Sequence, residues 1–159
     1  MDQKAKGGAV SHTVLIKTPH VDVQIAELAD ILPLIWSRES SGHPEGWTPK
    51  MPSYMQCHPT TRLFKALFGG ILIYQTLKPS LVLPGELKFW GHCINEVNGK
   101  RYDLTSDQLA CEAYSVARER VLLDREVNSF DAEWPGMQHV IATLFVAYEA
   151  KTGIQLAVQ

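Results

Sequence analysis

Apolar residues along this chain are spaced first as helices, then as extended segments, then as helix again. Residues 22–36 carry Ile25, Leu28, Leu32 and Ile35 three and four apart, the repeat of one helix face. Pro33 weakens that pattern near its end because it has no N–H to donate. Residues 37–53 read as a loop, with Ser40-Ser41-Gly42-His43-Pro44 followed by Pro49 and Pro52, yet they hold the large side chain of Trp47. A second helix is expected over 57–68. Pro59 is tolerated in its first turn, Leu63, Phe64, Leu67 and Phe68 form its apolar stripe, and Gly69-Gly70 stops it.

Residues 71–77 are a strand candidate, and 13–16 a shorter one. Residues 86–97 and 100–105 form two strands joined by Asn98-Gly99, the strongest short hairpin signal. Residues 106–123 are expected to be helical in part. An amphipathic helix closes the pattern over 135–152, with Val140, Ile141, Leu144, Phe145 and Tyr148 inward and Gly153 at its end. Helices, then strands joined by a tight turn, then helices define an α+β class with a small antiparallel sheet.

Composition narrows the picture. The 159 residues suit one domain, expected over 12–159 behind a loose polar tail at 1–11. A formal charge of −2 and a pI near 6.3 lack the basic excess of a nucleic-acid binder, so no nucleic-acid partner is expected. No apolar run approaches the roughly 18 residues of a membrane span. The polar start shows no secretory pattern. Three cysteines without framework spacing suit a reducing compartment, so a cytoplasmic protein without disulfides is expected.

The candidate chemistry begins at Cys57, where a helix should start. Unpaired N–H groups and the positive dipole end favour an anion there and lower a thiol's pKa. The bland alternative is inert packing, the usual fate of a cysteine on an apolar face. The hairpin changes the balance. With Asn98-Gly99 as the loop, Val97 pairs with Lys100, Glu96 with Arg101, Asn95 with Tyr102 and Ile94 with Asp103. His92 and Asp103 then share a face as diagonal neighbours, roughly 7–8 Å apart at the backbone, within side-chain reach. A thiolate attacks, an imidazole carries the proton, and a carboxylate orients the imidazole.

Zinc is the rival reading, because Cys57-His58 and His92-Cys93 offer ligands of the right type. Their spacing argues against it: neighbours on a strand face opposite sides, and neighbours on a helix diverge by about 100°. No metal or cofactor is expected. His20, His43 and His139 show no partner spacing, and Cys93 and Cys111 read as core thiols.

Trp36-Ser37, Trp47, Gln56-Cys57, Phe68-Gly69-Gly70, His92, Asn95, Gly99 and Asp103-Leu104-Thr105 with Gln108 occur in an order that resembles the YunG-like family of small bacterial proteins. More broadly, a helix-starting Cys followed by a strand His and a strand Asp is similar to the transglutaminase-like branch of the papain-like thiol enzymes. The resemblance implies a papain-like core with Cys57 as nucleophile, His92 as general base and acid, and Asp103 as its orienter. Two departures bear on substrate preference: Cys93-Ile94 stands where the family tends to have aromatics, and Met55 where members often have Gly. Gln56 and the Cys57 N–H are candidate oxyanion donors, while Trp47 either packs over the cleft or anchors its loop. Asn95 lies on the strand face away from His92 and is expected to be structural. The expected activity is hydrolysis or transfer of an acyl group from a small-molecule, peptide or carrier-bound amide, thioester or ester. The alternative is an interaction protein that keeps the scaffold without turnover.

Overall fold

The computed structural model describes residues 21–79, 90–109 and 114–156. The expected tail at 1–11, the short strand at 13–16 and residues 86–89 of the first hairpin strand lie outside the described residues, as does Cys111.

Helix α1 (Val21–Ile35) buries Val21, Ile25, Leu28, Leu32 and Ile35, the face its spacing defines. Pro33 falls in the final turn, and the Trp36 N–H still reaches Leu32 O at 2.9 Å as the chain leaves the helix. Helix α2 (Cys57–Phe68) has the bounds its sequence predicts. It stops at Gly69 and Gly70, whose φ values of +72° and +75° need a residue without a Cβ. A Cβ on Gly70 would also collide with Glu96 O.

Four strands follow, β1 (Ile71–Pro79), β2 (Trp90–Val97), β3 (Lys100–Tyr102) and β4 (Tyr114–Leu122). They form one antiparallel sheet in the order β3-β2-β1-β4. The β2–β3 register is the one the turn dictates: Asn95 pairs with Tyr102, Glu96 with Arg101 and Val97 with Lys100. Asn98 (φ +53°) and Gly99 (φ +76°) both lie in the left-handed region, as a two-residue hairpin loop of this kind requires.

The region 106–123 corrects the sequence reading. Among the described residues of this region, Ser106–Leu109 coil as a 3₁₀ turn and Tyr114–Leu122 is a strand. That strand occupies a sheet edge and is exposed along most of its length. Its outward positions therefore carry Arg118, Glu119 and Arg120, and charge hides the apolar alternation by which a strand is recognised. Helix α3 (Asp124–Ala132), absent from the sequence reading, begins where Glu126 accepts the Leu123 N–H at 2.9 Å. Helix α4 (Met137–Thr152) buries Met137, Ile141, Leu144 and Tyr148, while Val140 and Phe145 are half-buried.

Helix α2 contributes to both hydrophobic clusters. Leu63 and Phe64 pack with α1 and α4, whereas Cys57 joins Leu72, Cys93, Leu122, Val127 and Phe130. This central place explains the buried polar groups of its first turns, each of which has a partner. Trp36 Nε1 donates to Thr60 Oγ1 at 2.9 Å, and Asn95 Nδ2 donates to Thr61 O at 3.0 Å. Unpaired, such groups would cost about 1–3 kcal/mol apiece. The structural role expected of Asn95 is thus a hydrogen bond that docks β2 on α2.

Candidate active site

Cys57 is the first residue of α2, and its cap residue Gln56 makes no side-chain bond to the helix. The Cys57 N–H has no carbonyl within the helix to pair with, so this end remains a favourable place for negative charge. The thiol is 7% exposed. It meets β2, where it accepts hydrogen bonds from both the side chain and the backbone N–H of Cys93 and also bonds His92. Successive strand residues face opposite ways, yet both His92 and Cys93 interact with Cys57. Cys93 was read from sequence only as a core thiol. Its pairing with Cys57 joins residues 36 positions apart, which no local pattern displays.

His92 is buried, and its Nε2 donates to Asp103 Oδ2 at 2.7 Å. The Nδ1 atom is therefore the ring nitrogen left for the Cys57 thiol. Asp103 follows β3 directly. Its other oxygen, Oδ1, accepts from the Thr105 N–H at 3.1 Å and from Thr105 Oγ1 at 3.3 Å. The carboxylate is thereby fixed on both sides. The strand expected over 100–105 ends at Tyr102, so Asp103 lies just past the paired segment, and its side chain still reaches His92.

Charge follows from these contacts. The Cys57 thiol is held well below the ordinary range, chiefly by the Cys93 hydrogen bond; burial opposes this, and His92 adds a second bond and positive charge. Cys93 is pushed up, first by its bond to Cys57 and then by burial. Cys57 carries the charge because the helix end and His92 both favour an anion at its sulfur. For His92, burial works against the charged form, but Asp103 and Cys57 together outweigh it and raise the pKa to about 10. Both shifts run the same way, favouring an anion on Cys57 and a proton on His92.

The loop before α2 is tied to its surroundings. Gln56, fully buried, accepts from Ser40 Oγ at 3.1 Å and donates from Nε2 to Ser37 O at 2.9 Å. Its amide holds the loop, so the oxyanion role expected of it has to compete with those bonds. Trp47 Nε1 donates to Pro52 O at 3.0 Å, which closes the loop on itself and favours the anchoring reading. Ser53 Oγ donates to Asp107 Oδ2 at 2.8 Å, and the Met55 N–H donates to Gln108 Oε1 at 3.1 Å. Met55 has φ +56°, a conformation that favours glycine, at the position where the resemblance expects one. Gln108 holds it there.

Tyr74 pairs across the sheet with Cys93, and its phenol lies over Gly91, where any Cβ would strike the ring. Burial raises its pKa, and its acidic neighbours Cys93, Cys57 and Glu133 add to this. The ring also lines a cavity of about 190 Å³ with Phe130, Trp134, Arg118 and Arg120. His58 does not turn toward Cys57: its Nε2 donates to Asp131 Oδ1 at 2.7 Å. Among the described residues no group of three or more His, Cys, Asp or Glu is placed to hold a metal ion.

Fold and site together define an α+β protein with a buried Cys–His–Asp constellation at a helix start. A family model described as YunG protein matches residues 24–145, and the chain belongs to that family. It is 33% identical over 104 residues to the Bacillus subtilis (strain 168) protein named "Uncharacterized protein YunG", covering 63% of this chain and 79% of that one. No solved structure matches it. Among the described residues no helix is long and apolar enough to cross a membrane.

Proposed function

We propose that this protein is a cysteine-dependent hydrolase or acyltransferase, with a transglutaminase-like, papain-like core acting on an amide, thioester or ester. The observation that carries this reading is Cys57 at the start of α2 beside His92, whose far nitrogen is held by Asp103 at 2.7 Å. The thiolate attacks the acyl carbonyl, and the carbonyl electrons move to oxygen, where the Cys57 backbone N–H is the nearest donor by position. Collapse expels the leaving group, which takes the proton from His92 Nδ1. The same nitrogen then accepts a proton from the incoming water or amine as it attacks the acyl-enzyme. Throughout, Asp103 keeps the ring oriented and stabilises its charged form. Small-molecule, peptide or carrier-bound acyl donors are the proposed partners, with no cofactor and in the cytoplasm.

The test is acyl turnover with a panel of activated esters and thioesters, together with mass spectrometry of the intact protein. An acyl adduct on Cys57 in the wild type, absent from Cys57→Ala, supports the mechanism. Equal turnover in Cys57→Ala would remove it. The 7% exposure of Cys57 favours a second reading, an interaction protein on the same scaffold without turnover. That reading predicts no acyl adduct with any donor.

A further inference from the structure

The mechanism above uses the Cys57 thiolate but leaves its nearest partner, the Cys93 thiol, without a chemical part. Both are free, both are buried, and they belong to one packed cluster with Leu72, Leu122, Val127 and Phe130. Within that cluster the two side chains are also each other's electrostatic partners, which makes the two sulfurs neighbours in the folded protein. A disulfide asks for Cβ atoms about 3.5–4.5 Å apart and an S–S distance near 2.05 Å, a short step from hydrogen-bonded thiols. We propose that Cys57 and Cys93 form a dithiol that reduces a peroxide and stores the oxidation as a reversible intramolecular disulfide.

The steps balance. The Cys57 thiolate attacks one oxygen of hydrogen peroxide; the S–O bond forms, the O–O bond breaks, and hydroxide leaves. His92 gives that hydroxide its proton, releasing water and leaving Cys57 as the sulfenic acid. The Cys93 sulfur then attacks the Cys57 sulfur, the S–O bond breaks, and the departing hydroxide takes the Cys93 proton as a second water. Two thiols have lost two electrons, and one peroxide has become two waters. Conversion of Cys57 to the sulfenic acid in the first step eases the second, because the bond to the Cys57 sulfur, then burial, then the Cys57 charge hold Cys93 protonated. Burial suits this reaction, since a peroxide is small enough to reach a sulfur that larger reagents meet slowly. The disulfide also keeps Cys57 from passing to the irreversible sulfinic acid, and a small dithiol restores it.

The experiment adds one equivalent of hydrogen peroxide to a Cys111→Ser protein, which removes the third thiol. Trypsin should place Cys57 in peptide 51–62 and Cys93 in peptide 89–100. The expected result is loss of both thiols per peroxide, with the two peptides joined at the summed mass less two hydrogens and separated by dithiothreitol. In the isosteric Cys93→Ser variant, oxidation should stop at a Cys57 sulfenic acid that dimedone traps. Sulfinic acid on Cys57 without the joined peptides, a link between two chains, or both thiols surviving the peroxide would each overturn the proposal. Thiol counts decide the matter without acyl turnover, so failure here is distinct from failure of the acyl-transfer reading.

Discussion

Two histidine–carboxylate pairs lie close to the first turn of α2, and they match in the bond between ring and carboxylate. His92–Asp103 and His58–Asp131 both join Nε2 to a carboxylate oxygen at 2.7 Å, and both rings are buried. Their surroundings differ. Asp131 gives its second oxygen to Arg62 Nε at 2.9 Å, and the His58 ring packs on Phe130 at 5.1 Å between centroids. Asp103 gives its second oxygen to Thr105, and the His92 ring meets a thiol. A guanidinium already matches the charge of Asp131. The carboxylate–imidazole bond is therefore no sign of chemistry in itself. What stands at the other ring nitrogen decides whether the pair handles protons or holds α3 against α2.

Substitutions can break this contrast. The largest effect is expected from Cys57→Ala, which should abolish acyl turnover while circular dichroism and the unfolding midpoint remain near wild type. Asp103→Asn should lower the turnover rate by about 10²–10⁴-fold, the usual worth of acid–base catalysis, with the fold retained. Asp131→Ala should act the opposite way. Loss of this buried partner should cost about 3–5 kcal/mol in urea unfolding, while Cys57 in the folded fraction keeps its wild-type reactivity. A large loss of Cys57 reactivity in that variant would show that the two pairs are not separate.

The pH dependence sharpens the comparison further. An ordinary thiol with a pKa of about 8.5 reacts about 100-fold more slowly at pH 6.5 than as full thiolate. Cys57 should show little such loss in iodoacetamide labelling, and His92→Ala should restore at least about a tenfold loss. Turnover should decline as pH rises through about 10, because His92 then lacks the proton it gives to the leaving group. The smallest effect is expected at the hairpin. Asn98→Ala, at φ +53°, should cost about 1–2 kcal/mol in the same unfolding assay, since alanine tolerates that backbone poorly.

Legibility in the sequence tracked how local each interaction was. The bounds of α2, the Asn98-Gly99 turn and the convergence of His92 with Asp103 all rest on helix periodicity, glycine conformation and strand pairing across a two-residue loop. Each acts over a few residues and leaves a pattern. The strand at Tyr114–Leu122 escaped because it pairs with Ile71–Pro79, distant in sequence, and its exposed face tolerates charge. The short helix after it escaped too, since Val127 and Phe130 alone make a weak stripe.

From its sequence alone, this chain's α+β class, its hairpin register and the place of Cys57 at a helix start were determined, because backbone sterics and side-chain alternation act on neighbouring residues. Tertiary structure alone decided that Cys93 would bond Cys57, that His58 would turn to Asp131, and that the Gln56 amide would be occupied by Ser37 and Ser40. Those partners are assembled only when α2 is buried between the sheet and the other helices. In that dry setting each polar group must bond whatever the packing brings within reach.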